Sequence, residues 1–362
     1  EAPAVSDALH VVHLYDGHEQ VYGGRGSVPG VVWNLARGTV TRGHDVTVLE
    51  RQWDGLDAYA THEGVDFERL DLWTGADEPW TRVPYEQVAS PVGLARLVAD
   101  RTNFAYRALR RLDGRSFDVL HVHLPFAAGV LLTVAPDLRG KTVYTAHLGE
   151  LRLDALTDDQ RGGASDGNGE VGTEEVGDGA DGGSGDGSAL DTPAVLSVAS
   201  PDVYLANRAA HTTVLNGTIA EAFADRGVDR ESVSVLPNGV DVNRFTNVSR
   251  GEVERVRERY ELDGGPVLCF VGTVMPRKGV VDLVRAAGRL DGSRWEGDGG
   301  SFDLVVAGED DLDGEYVAEV ERVAREVGVA DALSMPGFVP AADLPALYAA
   351  ADVFVVPSLE EG

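Results

Sequence analysis

Two cations stand a few residues beyond a glycine that ends an apolar run: Gly272 and Thr273, then Arg277 and Lys278, in PVLCFVGTVMPRKGVVDLVRAAGRL from Pro266 to Leu290. A guanidinium and an ammonium beside loop N–H groups are suited to binding phosphate. The lysine carries weight because the chain has only two, Lys141 and Lys278, among 31 basic residues. The second candidate group is imidazole. His121 and His123 close the run FDVLHVHLP and share one face at the two-residue period of a strand. A hydrogen-bonded core pair and a functional pair both fit them. With no Cys and no third ligand near them in sequence, the spacing argues against a metal site. His147 caps a further apolar run, and His44 in RGHDV suits a helix end, where a histidine complements the dipole.

The elements that must position these groups alternate. Val267 to Val271 reads as a buried strand, and the apolar period of Val280, Leu283, Val284, Ala287 and Leu290 reads as a helix. Strand, loop and helix in that order aim free N–H groups and the helix dipole at the loop that carries Lys278. Upstream, Ala8 to Tyr15 predicts a first strand, a glycine-rich loop follows, and Val31, Val32, Leu35 and Val40 mark a helix. Asp45 to Glu50 and Val65 to Leu70 predict strands, and Val88 to Leu112 a helix whose arginines form a solvated face. Phe117 to Val122 and Lys141 to Ala146 predict two more strands. A helix is predicted near Pro193 to Ala199, strands at Val203 to Ala206 and Ser232 to Leu236, and a boundary at the turn Pro237, Asn238, Gly239. Beyond it come a helix from Gly251 to Tyr260, a strand at Phe302 to Ala307, a helix from Tyr316, and a buried strand in DVFVVPS. The pattern predicts two α/β domains, residues 1–240 and 241–362, each a doubly wound parallel sheet, facing each other across a cleft.

Composition bounds the rest. With 362 residues, 43% hydrophobic and 25% charged, the chain is long enough for two cores and has no run approaching a membrane span. A formal net charge of −29 excludes sequence-independent binding to nucleic acid. The acid excess and near-absence of lysine predict a halophilic protein, whose self-repulsion concentrated salt would screen. Residues 154–191, rich in Gly and Asp without apolar periodicity, predict a disordered insert. The single cysteine, Cys269, reads as a core residue. EAPAVSDALHVVHL lacks the pattern of a signal peptide, and the expected location is cytoplasmic.

Several stretches together resemble the family 4 glycosyltransferases, retaining enzymes of the GT-B fold: NLARGTVTRGHDVTVL, FDVLHVHLP, VSVLPNGVDVNRF, VLCFVGTVMPRKG, FDLVVAGED and GFVPAADLPALYAAADVFVVPSLEEG. The resemblance implies transfer of a sugar from a nucleotide-diphosphate donor. It implies Lys278 and Arg277 at the donor diphosphate, with Gly24, Gly26, Gly272 and Thr273 lining the same group. Phe338 and Val339 fall at the nucleoside, and His123 and Glu361 at the reacting sugar. Thr273 stands where the family usually has an arginine, and Glu361-Gly362 matches only the beginning of the family's C-terminal signature. The second domain is therefore expected to be incomplete, that is, truncated.

The nucleotide sugar is the implied co-substrate, with no cofactor and no metal. The acceptor is left open among a glycan, a lipid and a small molecule, and peripheral contact with a membrane and a complementing C-terminal polypeptide are both allowed. The alternative function is a catalytically inactive nucleotide-binding remnant or one half of a split glycosyltransferase.

Overall fold

A computed structural model of the protein describes residues 8–81, 87, 90–147, 201–262, 265–290, 302–309 and 313–359. The expected disordered insert, the helix at 193–199 and Glu361 lie outside the described residues. The chain divides into two compact units, Glu1–Asn238 and Gly239–Gly362.

The first unit is built on an eight-stranded sheet in the order β3-β4-β2-β1-β5-β6-β7-β8. These strands are β1 His10–Leu14, β2 Asp45–Arg51, β3 Tyr59–His62, β4 Val65–Leu70, β5 Val119–Val122, β6 Thr142–Ala146, β7 His211–Val214 and β8 Val233–Val235. All pair in parallel except β3, an antiparallel edge strand on β4. The chain runs outward from β1 through β2 to one edge, then returns to β5 on the other side of β1. The carboxyl ends of β1 and β5 therefore mark the place where an open parallel sheet receives its ligand.

Helices cover the sheet where the apolar period demands it. Helix α1, Ser27–Val40, buries Pro29, Val32 and Ala36, one turn apart. Helix α2, Pro91–Leu112, starts with Pro91 after Ser90, whose hydroxyl accepts from the Gly93 N–H, and buries Leu97, Phe104, Ala105, Ala108 and Leu112. Helix α3, Pro125–Val134, follows β5 directly. The arginines of α2 are not all solvated, as the period had predicted. Arg101 is buried and paired with Asp100 and Asp16, because the face it occupies meets the core rather than water. A second correction falls on Val203 to Ala206, which form the end of helix α4, Pro201–Ala206, not a strand. The strand expected there is β7, displaced to His211–Val214.

The second unit carries a four-stranded parallel sheet, β11-β10-β9-β12. It consists of β9 Val267–Val271, β10 Asp303–Ala307, β11 Leu333–Gly337 and β12 Val353–Phe354. Alternation along β9 sends Leu268 and Phe270 into one apolar cluster, with Val280, Val284, Leu304 and Val320. It sends Val267 and Cys269 into another, with Val256, Val305 and Leu347. Cys269 is a core residue, as its setting in the sequence predicts, and burial pushes its thiol up to about 12. The expected buried strand at DVFVVPS is shorter than its sequence suggests. Only Val353 and Phe354 pair with β9, and both are exposed because β12 is the sheet edge.

Candidate functional site

In the second unit, the loop that carries Arg277 and Lys278 follows the carboxyl end of β9. The Gly272 N–H donates to the Ala307 carbonyl at 2.9 Å, which carries the β9-β10 ladder past the end of the strand. Gly308, immediately after β10, has φ +156°, and a β-carbon there would lie 1.8 Å from the Gly272 carbonyl oxygen. The absence of a side chain at Gly308 lets its backbone close on that of Gly272, whose own β-carbon would instead lie 3.0 Å from the Phe270 ring. Val274 is fully buried and its N–H donates to the Glu309 carbonyl, so the loop is pinned before its cations. A single 3-10 turn, Pro276–Lys278, then presents half-buried Arg277 and Lys278.

Gly279 takes the left-handed conformation at φ +64° and starts helix α8, Val280–Ala287 (α5 being Gly217–Asp225, α6 Val242–Thr246 and α7 Arg250–Arg259). A β-carbon at Gly279 would lie 2.2 Å from the Pro357 carbonyl oxygen, and the Leu359 N–H donates to the Arg277 carbonyl. The residues after β12 thus clasp the turn that carries Lys278. Thr273 is half-buried beside Gly272. Phe338 and Val339 follow β11; Phe338 is exposed, but the Val339 side chain belongs to the core with Val256 and Leu347. The Val339 side chain is therefore not placed as the resemblance implies for a nucleoside contact.

In the first unit, the glycine-rich loop after β1 is held by two carboxylates that the sequence does not announce. Glu50 at the end of β2 accepts from the Val21 N–H at 2.8 Å and from Arg69 Nε at 2.9 Å. Glu19 accepts from the Arg25 N–H at 2.6 Å and the Gly26 N–H at 2.9 Å. Gly26 is the residue before α1. The N–H expected to face a diphosphate at Gly26 is therefore engaged by the Glu19 carboxylate in this structure. Gly24 is enclosed as well: a β-carbon there would lie 2.1 Å from the Gln20 carbonyl oxygen.

The histidines lie at the carboxyl ends of β1, β5 and β6. His13 faces His121 across the β1-β5 ladder, and His123 and His147 directly follow β5 and β6. His13 Nδ1 is 2.9 Å from His123 Nε2, and His123 Nδ1 is 3.1 Å from His147 Nε2. His121 turns its Nε2 to Thr145 Oγ1 at 2.7 Å. His13 and His123 are sealed from solvent at 1% and 0% exposure. Burial holds the His13 imidazole down at about 4 and drives His121 and His123 well below the ordinary histidine range, so at neutral pH all three rings are uncharged.

The sequence offered no third ligand beside His121 and His123; β1 supplies His13, and nitrogens of the three rings lie within 4.8 Å of one another. His13 stacks on His123 with centroids 5.2 Å apart, His121 is tilted against His123 at 4.3 Å, and His13 and His123 spend a nitrogen on each other. Asp16, just past β1, accepts from the Ala127 N–H in the first turn of α3 and pairs with Arg101. This ties the segment after His123 to β1. Burial raises the Asp16 carboxyl, while Arg101 and the Ala127 N–H favour its charged form. His13, Asp16 and Glu19 carry no local signal; each acts through a partner distant in sequence.

Residues 28–239 match the family model described as glycosyl transferase 4-like domain, and residues 252–362 match the model described as glycosyl transferases group 1. Over 152 residues, 41% of this chain, it is 33% identical to 2-deoxystreptamine glucosyltransferase of Streptomyces kanamyceticus. The match takes in only 37% of that relative's length, under two thirds of it. Among solved structures, sucrose-phosphate synthase of Thermosynechococcus elongatus superposes with a TM-score of 0.66 at 18% identity, covering 98% of this chain and 76% of the other. An Anabaena protein in complex with UDP and glucose superposes at 0.59 and 16% identity, covering 97% and 74%. The fold class is GT-B. No helix among the described residues is long and apolar enough to cross a membrane.

Proposed function

We propose that this chain, which belongs to the glycosyl transferase 4-like family, moves a sugar from a nucleotide-diphosphate donor to an acceptor hydroxyl with retention of anomeric configuration. The observation that carries the reading is the loop after β9: Gly308 closed against the Gly272 carbonyl, a pinned Val274, and a 3-10 turn that ends in Arg277 and Lys278 at the start of α8. Such a loop is built for a polyanion at the carboxyl end of a parallel strand. That an Anabaena protein of similar fold was solved with UDP and glucose supports a nucleotide sugar as donor.

In this reading the departing diphosphate gathers negative charge as the glycosidic bond breaks. Lys278 and Arg277 stabilise it electrostatically. The acceptor hydroxyl loses its proton to a donor phosphate oxygen, and no further cofactor is required. On the first unit, His123 belongs to the part of the protein that receives the acceptor.

The test is calorimetric titration of UDP, GDP and ADP into the wild-type protein and Lys278→Ala. At least one diphosphate should bind the wild type, and the variant should bind it roughly tenfold more weakly, about 1.4 kcal/mol. Equal affinity in the two proteins removes the phosphate site from the loop.

A further inference from the structure

The chain of contacts His13–His123–His147 uses both ring nitrogens of His123. A neutral imidazole has one N–H and one lone pair, so three rings linked nitrogen to nitrogen have two arrangements, related by shifting every proton one place. In the first, His13 donates from Nδ1 to His123, His123 donates from Nδ1 to His147, and His13 Nε2 is a bare lone pair. In the second, His147 donates from Nε2 to His123, His123 donates from Nε2 to His13, and His13 Nε2 carries the N–H.

The deciding atom is His13 Nε2, which is buried and has no hydrogen-bond partner. A buried N–H left unpaired is rarer in proteins than an acceptor left unfilled. The first arrangement is therefore favoured.

From this we infer that His13 is a positioning residue: it holds the proton of His123 on Nδ1, directed at His147, and thereby holds the proton of His147 on its own Nδ1. The inference rests on the reading above that His123 belongs to the reacting part of the molecule. His123 is sealed at 0% exposure whereas His147 is half-buried, so His147 is the more accessible end of the relay. His13 acts on it through His123, although 134 residues separate the two ends of the relay in sequence. Burial, which keeps His13 and His123 uncharged, supports the arrangement, since each of these rings then has one N–H and one lone pair.

The test begins without any substrate, so its failure is distinguishable from failure of the transferase reading. NMR of the protein labelled with 15N and 13C at histidine reads the tautomers directly. His123 and His147 should both be Nδ1–H in the wild type. His13→Asn places an amide N–H near the position of Nδ1 and should keep that pattern. His13→Leu removes the donor and should release His123 into a mixture of tautomers. Consumption of a nucleotide sugar should then fall roughly tenfold or more in His13→Leu, in kcat rather than KM, and recover in His13→Asn.

An Nε2–H on His123 in the wild type would overturn the inference, as would an unchanged tautomer and kcat in His13→Leu. So would a stoichiometric metal ion found by elemental analysis, because a metal would take the lone pairs that the hydrogen bonds need. If His13→Leu does not fold, the wild-type tautomers alone decide.

Discussion

His13 Nδ1 and His123 Nε2 lie 2.9 Å apart, joining the end of β1 to the residue after β5 across the strands where the sheet order reverses. The contact binds two segments 110 residues apart, and burial commits both rings to the uncharged form. The commitment makes stability depend on pH.

The ordinary histidine value is 6.5, and His13 in the folded protein is held at about 4. Between these values the unfolded chain takes up a proton that the folded protein refuses, so stability is fully present above 6.5 and is lost as pH falls toward 4. His121 and His123 shift in the same direction. Asp16 and Glu50, raised by burial, act with the opposite sign. The difference between proteins isolates the histidine: across pH 6.5 to 4, the urea midpoint of His13→Asn should fall less steeply than that of wild type. Each buried histidine contributes about 1.4 kcal/mol per pH unit inside its window. Parallel curves would contradict the account.

Asp100 accepts from Arg51 Nη2 at 2.5 Å, Arg101 Nη1 at 2.8 Å and Thr74 Oγ1 at 2.6 Å, and is fully buried. Asp100→Ala strands the Arg51 guanidinium in the interior and leaves Arg101 with Asp16 as its remaining carboxylate partner. The expected cost is about 3–5 kcal/mol, read as a lower urea midpoint of the first unit. A change within error of wild type would show that water replaces the carboxylate.

Gly279 combines φ +64° with a Pro357 carbonyl oxygen 2.2 Å from where a β-carbon would stand. Gly279→Ala adds backbone strain of about 1–3 kcal/mol to that clash and pushes the 357–359 segment off the turn carrying Lys278. Lower stability of the second unit and weaker diphosphate binding should appear together. Lost stability with unchanged binding would mean that the clasp does not position the loop.

Much of the fold was legible because each buried strand is a short apolar run bounded by turn residues, as with Val267–Val271 before Gly272 and Gly308 after Ala307. The loop of Lys278 was legible for the same reason: strand, turn, cations and helix are consecutive. What escaped was what depends on packing. Val203 and Leu205 are β-prone side chains, yet Pro201 opens a helix there and the pair is buried on it. Tyr59–His62 gave no clear alternation because it is an edge strand exposed on one side. His13 reads as one more residue of an apolar strand until β5 brings His121 and His123 beside it. Arg101 reads as a surface cation until Asp16 and Asp100 meet it.

The most direct measurement is 1H NMR of UDP-glucose and of GDP-mannose incubated with the protein, with water or an added acceptor receiving the sugar. Transfer with retention predicts consumption of one donor, release of its nucleoside diphosphate, and a first-formed sugar product that keeps the α configuration, all suppressed in Lys278→Ala. A first-formed β product, or diphosphate binding with no consumption of any donor under any acceptor, would contradict it.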